Sequence, residues 1–191
     1  MGKTRLEAFS DAVIAIIITI MVLEIKVPHG SELSDLYSLL PIIASYIMSF
    51  VFLGIYWNNH HHMLHASQKV NGAVLWANMH LLFWLSLIPF VTGWMGENHF
   101  APWPTALYGI IILMAGVAYY ILSQLLIKLH GDDSKLAKAV GSDVKGILSV
   151  IIYATGIPLS FVNHWIALSL YIVVTIMWFI PDPRIEKVLK E

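Results

Sequence analysis

The chain has 191 residues, 58% of them hydrophobic and 12% charged, with a mean hydropathy of +0.75, a balance outside that of soluble globular domains. A formal net charge of -1 leaves no basic footprint for nucleic acid. The absence of cysteine excludes a disulfide framework, a thiolate nucleophile and a Cys-ligated metal.

A bilayer core of roughly 30 Å takes about 20 apolar residues in a helix. Runs of that kind predict an all-α, polytopic membrane protein with six transmembrane helices in one domain, 1–191. The first predicted span covers about 8–27. The segment before it is too short and polar for a signal peptide, so span one is expected to be retained. At about 100° per residue, Ile16, Ile20, Leu23 and Val27 fall on one stripe with Thr19 on its flank, while Asp11 projects the other way. Such a stripe suits a pore wall and equally a lipid-facing or packing surface. Span one also carries Glu24 near its outer end, expected to pair with Lys26 or face the headgroups.

The second span is predicted at about 36–60, and His60, His61, His62 and His65 cluster at its inner end. His61 and His65, one helical turn apart, are a possible metal pair, but no Cys, Asp or Glu stands beside them in the sequence to complete a site. Span three, about 72–95, contains Asn78 and His80 at a depth where interhelical hydrogen bonding is the usual role. Span four runs over about 104–129. The final stretch is too long for one helix and is interrupted at Asn163 and His164, which predicts a hairpin of two short spans, about 142–161 and 164–181. Pro41, Pro89 and Pro158 are expected to kink their helices.

Orientation follows from the eleven Lys and Arg residues. Lys3, Arg5, Lys69, Lys128, Lys135, Lys138, Lys145, Arg184, Lys187 and Lys190 fall on one side of the six spans, and Lys26 alone on the other. The positive-inside rule then places both termini in the cytoplasm. Trp57 and Trp178 are expected as anchors at the inner interface, and Trp94, Trp103 and Trp165 at the outer one. The loop at 131–143 reads as a solvated connector, and no strong internal repeat relates the two halves of the chain.

Arg5, three intervening residues and then Phe9-Ser10-Asp11 at the start of span one resemble the signature of the transmembrane protein 175 family. These are potassium channels of endosomes and lysosomes in animals and of the cell membrane in prokaryotes. Trp57 with His60 and His61 is similar to the family's pattern as well. With one six-helix repeat where animal members carry two, the resemblance implies a prokaryotic, multi-pass cell-membrane protein. Four identical subunits would place helix 1 around a four-fold axis.

The resemblance further implies a potassium-selective, leak-type channel, not an enzyme, with no cofactor beyond permeant potassium and with the lipid bilayer and its own copies as partners. Ile16 would be the main constriction and gate, Ile20 and Leu23 further apolar layers, and Thr19 a ring of hydroxyls. Arg5, Phe9, Ser10 and Asp11 would belong to a structural network at the inner end of helix 1, with His60, His61, Asn78 and His80 as candidate members. The sequence contains no Gly-Tyr-Gly filter, so selection would rest on side chains, with Glu24 and the outward carbonyl end of helix 1 concentrating cations. The alternative is a proton- or metal-coupled secondary transporter using Asp11 or the His60–His65 cluster.

Overall fold

A computed structural model describes residues 2–131, 133–134, 136–137 and 143–179. Seven main α-helices make up the described fold: α1 (Lys3–Met21), α2 (Leu40–His65), α3 (Gly72–Ser86), α4 (Ile88–Glu97), α5 (Pro102–His130), α6 (Val144–Leu159) and α7 (His164–Phe179). Single 3-10 segments extend α1 through Glu24 and precede α2 over Leu33–Leu39. Four stretches, Lys3–Glu24, Leu33–His65, Gly72–Glu97 and Pro102–His130, are long and apolar enough to cross a membrane. α6 and α7 are apolar but have 16 residues each, about 24 Å at 1.5 Å per residue, and form a hairpin closed at residues 160–163.

Local chemistry explains the boundaries. Asn71 caps α3 by accepting from Val74 N at 3.0 Å, and Asp143 caps α6 by accepting from Gly146 N at 2.9 Å. α3 and α4 form a single membrane-length unit broken at Leu87. Pro89 has no N–H to give the Leu85 carbonyl, and Leu87 N turns to Trp84 O at 3.3 Å. Pro41 stands at the first turn of α2, where the 3-10 segment becomes α and a missing N–H costs nothing, and Pro158 lies inside α6 one residue before its end. α1 begins five residues before the predicted span and α2 continues past 60 to His65, because helices outlast the hydrocarbon that sets a hydropathy window. Residues 132, 135 and 138 of the connector, and Arg184, Lys187 and Lys190, lie outside the described residues.

α1 packs on α2, α3 and α4, whereas the α6–α7 hairpin packs on α5, with α7 also reaching α2. α5 is therefore the spine between α1's partners and the hairpin. Without a hydrophobic drive between helices in lipid, close approach depends on small residues and polar pairs. On α2 and α4 these are Ser45, Ser49, Thr92 and Gly96. Ser49 Oγ lies 2.7 Å from Thr92 Oγ1 and donates to Tyr108 OH of α5 at 3.2 Å. A Cβ added at Gly96 would stand 2.7 Å from Ile42 Cα, a backbone atom with no rotamer to yield. Gly96→Ala is therefore expected to separate α2 from α4 and cost about 1–3 kcal/mol, read as a lower unfolding temperature in detergent, whereas Gly116→Ala, with room for a Cβ, is expected to have no such effect.

Candidate functional site: the two faces of helix 1

One face of α1 is buried within the protomer through Leu6, Ser10, Ile14, Ile17 and Met21, a spacing of three and four residues that follows a single helical stripe. The opposite face is not covered. Ile16, Ile20 and Leu23 are 55%, 42% and 76% exposed, and Val27 beyond the helix end 84%.

Thr19 lies exposed on the uncovered side, and its hydroxyl donates back to the helix, to Ile16 O at 2.9 Å and Ala15 O at 3.1 Å. With the proton committed to a carbonyl, the oxygen lone pairs point away from the helix as acceptors. Beside this face, between α1 and the α3–α4 unit, lies a cleft of about 630 Å³ lined by Ile16, Ile20, Glu24, Phe90, Trp94 and Glu97 among others.

Glu24 is exposed at the mouth of this cleft and leans on α4, where a Cβ added at Gly93 would stand 3.0 Å from its Oε2. Lys26 does not take Glu24 as its hydrogen-bonded partner. It pairs with Glu97 across 71 residues of sequence at 2.6 Å, and Glu97 raises its pKa above the ordinary lysine value through that hydrogen bond and the charge. A raised lysine pKa keeps the ammonium charged through neutrality, so the pairing is present at pH 7 and is lost only as pH rises through the raised value.

The buried face of α1 carries a polar relay. Ser10, fully buried, donates to Leu6 O at 2.8 Å and accepts from Asn78 Nδ2 at 2.9 Å. With Nδ2 turned to Ser10, Asn78 presents its Oδ1 to His60 and accepts from Nε2 at 2.7 Å, which puts a hydrogen on His60 Nε2 because an amide oxygen only accepts. His60 Nδ1 is left buried without a partner among the described residues. Three helices, α1, α3 and α2, are thus tied at one depth.

Asp11 makes a separate link, accepting from Trp57 Nε1 of α2 at 3.0 Å. Trp57 is accordingly more than an interfacial anchor, and so is Trp178, which donates to Ser149 Oγ at 2.8 Å. The other network candidates fall elsewhere. Arg5 is exposed with no hydrogen-bond or ion-pair partner among the described residues, and Phe9 is 42% exposed. His61 stacks between Trp57 and His65, with centroids 6.0 Å from each. His80 accepts from Trp84 Nε1 within α3 at 2.9 Å. Among the described residues no three His, Cys, Asp or Glu side chains gather as a metal site.

With this geometry in place, comparison with known proteins is specific. Residues 5–89 match the family model described as endosomal/lysosomal potassium channel TMEM175. The chain is 54% identical over 191 residues to a protein of Chryseobacterium sp. named a potassium channel, covering all of both chains. The crystal structure of a lysosomal potassium-selective channel TMEM175 homolog from Chamaesiphon minutus superposes with a TM-score of 0.79 at 28% identity, covering 92% of this chain and 95% of that one. A zebrafish relative named endosomal/lysosomal proton channel TMEM175 is 30% identical over 132 residues, 66% of this chain and 24% of its own length. The all-helical fold, the α1 signature region and the full-length likeness converge: this membrane protein belongs to the TMEM175 family of ion channels and is not an enzyme.

Proposed function

We propose that this protein is a potassium-selective, leak-type channel of a prokaryotic cell membrane, a homotetramer in which α1 surrounds the axis and Ile16 forms the narrowest, dry layer. The observation that carries the reading is the uncovered face of α1. Aliphatic side chains at 16, 20 and 23, a hydroxyl at 19 and a carboxylate at 24 share a helix side that the protomer leaves open. Thr19 lone pairs and an outer carboxylate beside the aliphatic layers are the groups that a cation path calls for. Copies of the same face converging on an axis use all of them.

In that assembly four Ile16 side chains exclude water and tax the more strongly hydrated sodium ion. Thr19 oxygens replace part of the lost hydration, and Glu24, left without Lys26 as a hydrogen-bonded partner, raises the local cation concentration at the mouth. The permeant potassium ion is cargo, and the mechanism needs no cofactor.

Purified protein in planar bilayers under a potassium gradient tests the reading. Unitary current steps that reverse near the potassium equilibrium potential support it. Saturable exchange coupled to protons or metal, as the transporter alternative demands, overturns it, as does reversal at the proton potential. Glu24→Gln is expected to lower potassium conductance by about twofold at low ionic strength and to have little effect in about 1 M salt, where screening shortens the field to about 3 Å.

A further inference from the structure

Away from α1, a cavity of about 260 Å³ lies between α2, α5, α6 and α7, walled by Phe52, Ile55, Tyr56, Gly116, Ile147 and Tyr153 among others. No residue of α1 lines it. Ile147 and Ile151, which form its outer edge, are 61% and 56% exposed, so the cavity opens sideways towards hydrocarbon.

Of the four tyrosines that line the cavity, Tyr119 donates to Asn59 O at 3.3 Å and Tyr120 is 49% exposed, which leaves the hydroxyls of Tyr56 and Tyr153. Neither Tyr56 nor Tyr153 has a hydrogen-bond partner among the described residues, and neither hydroxyl is sealed in the protein. Tyr153 is 4% exposed as a residue. A phenol in an apolar setting costs about 1–3 kcal/mol when it finds no partner. Almost all the surrounding wall is hydrocarbon or aromatic, which favours an apolar occupant with one polar group to meet the hydroxyls.

The space is larger than the roughly 150 Å³ that holds a benzene and just under the range of about 300 Å³ upward that takes drug-sized ligands. It therefore suits one chain segment, not a fused-ring system. Among the described residues no Lys or Arg lines it, while Asp143 stands at one end, so a carboxylate or phosphate inside is disfavoured.

We infer that this cavity binds the alkyl chain of an amphiphile through an uncharged oxygen, seated on the Tyr56 and Tyr153 hydroxyls. Two sources share that chemistry: the ester carbonyl and adjoining chain of a bilayer lipid, and a free long-chain alcohol or ester. Gly116 keeps the space open. A Cβ there meets only Tyr56 OH, at 3.8 Å, so a larger side chain would project into the cavity without displacing backbone.

The test is photolabelling of the full-length protein in vesicles with a diazirine-bearing long-chain alcohol, with labelled positions read by peptide mass spectrometry. The expected result is label concentrated on peptides holding Tyr56, Gly116 and Tyr153. Gly116→Leu should reduce it by about fivefold or more while label on other lipid-facing positions is unchanged. Tyr153→Phe, which keeps the ring, should weaken saturable labelling by about two- to tenfold, the range for one hydrogen bond. Protection in vesicles of ester-linked phospholipid but not of the ether-linked analogue assigns the site to the lipid carbonyl; equal labelling in both assigns it to the free amphiphile. Label spread evenly over the lipid-facing surface and indifferent to Gly116→Leu overturns the proposal. Folding of each variant is checked by tetramer retention on size-exclusion chromatography.

Discussion

Ile16→Asn is expected to raise potassium current by on the order of tenfold at fixed voltage and to bring the potassium-to-sodium permeability ratio towards about one. The physical reason is the state of water in a narrow apolar ring. In the proposed tetramer, four branched side chains on one axis would disfavour wetting, and an ion would shed hydration with nothing but hydrocarbon in return. Four amides at the same height give water and ions hydrogen-bonding groups. A barrier lowered by only about 1.4 kcal/mol in total multiplies the rate tenfold. Selectivity falls for the same reason, since a wet neck no longer charges sodium more than potassium for dehydration. Because residue 16 is 55% exposed in the protomer, the substitution buries no polar group there, and assembly should persist.

Val27→Asn is the control. It shares the stripe in sequence only: helical backbone ends at Glu24 and Ile25 is extended, which leaves Val27 off the helix and 84% exposed, and its current should match wild type. Bilayer recordings of both variants, with tetramer content measured in parallel, check the prediction. Unchanged conductance and selectivity in an intact Ile16→Asn tetramer would put the constriction elsewhere, with Ile20 or Leu23 the next positions to substitute.

The different legibility of these features has physical causes. Long apolar helices at Lys3–Glu24, Leu33–His65, Gly72–Glu97 and Pro102–His130 are legible because a helix in lipid must satisfy its backbone internally and advertise that environment in its side chains, although the first ends three residues short of the run at 8–27. Ser10, His60 and Asn78 were conspicuous as polar residues inside such runs, yet only the fold shows that Asn78 stands between the other two. Its amide bridges them, donating to Ser10 Oγ and accepting from His60 Nε2.

What could not be read were pairings set by tertiary approach. Lys26 was weighed against Glu24, two positions away, and took Glu97, brought over by the turn of α4. Trp57 looked like one more belt tryptophan because nothing in its neighbourhood names Asp11, 46 residues earlier. His61 and His80 were indistinguishable from His60 by type and depth. What separates them is helix phase, which gives His60 to α3 and turns His61 towards Trp57 and His65.

Asn78→Ala is expected to lower stability by about 2 kcal/mol while leaving the permeation properties of surviving channels intact. Interhelical hydrogen bonds in membranes average about 0.6 kcal/mol and reach about 1.7, and Asn78 makes two, to Ser10 and His60. The upper part of that range applies because His60 has no second partner among the described residues: its Nδ1 is already buried and unmet, so removing Asn78 strands Nε2–H as well. Ser10→Ala is milder, about 1 kcal/mol, since Ser10 spends its own proton on Leu6 O. The two changes should be less than additive, with a coupling of about 0.5–1 kcal/mol, because both delete the same Ser10–Asn78 bond. Thermal unfolding in mild detergent gives the energies, and reversal potentials of reconstituted variants give the selectivity. No atom of this relay lies on the uncovered face of α1, so a protein that is weakened but equally selective is the expected result. A loss of selectivity at full stability would instead make the Ser10–Asn78–His60 line part of the conduction machinery.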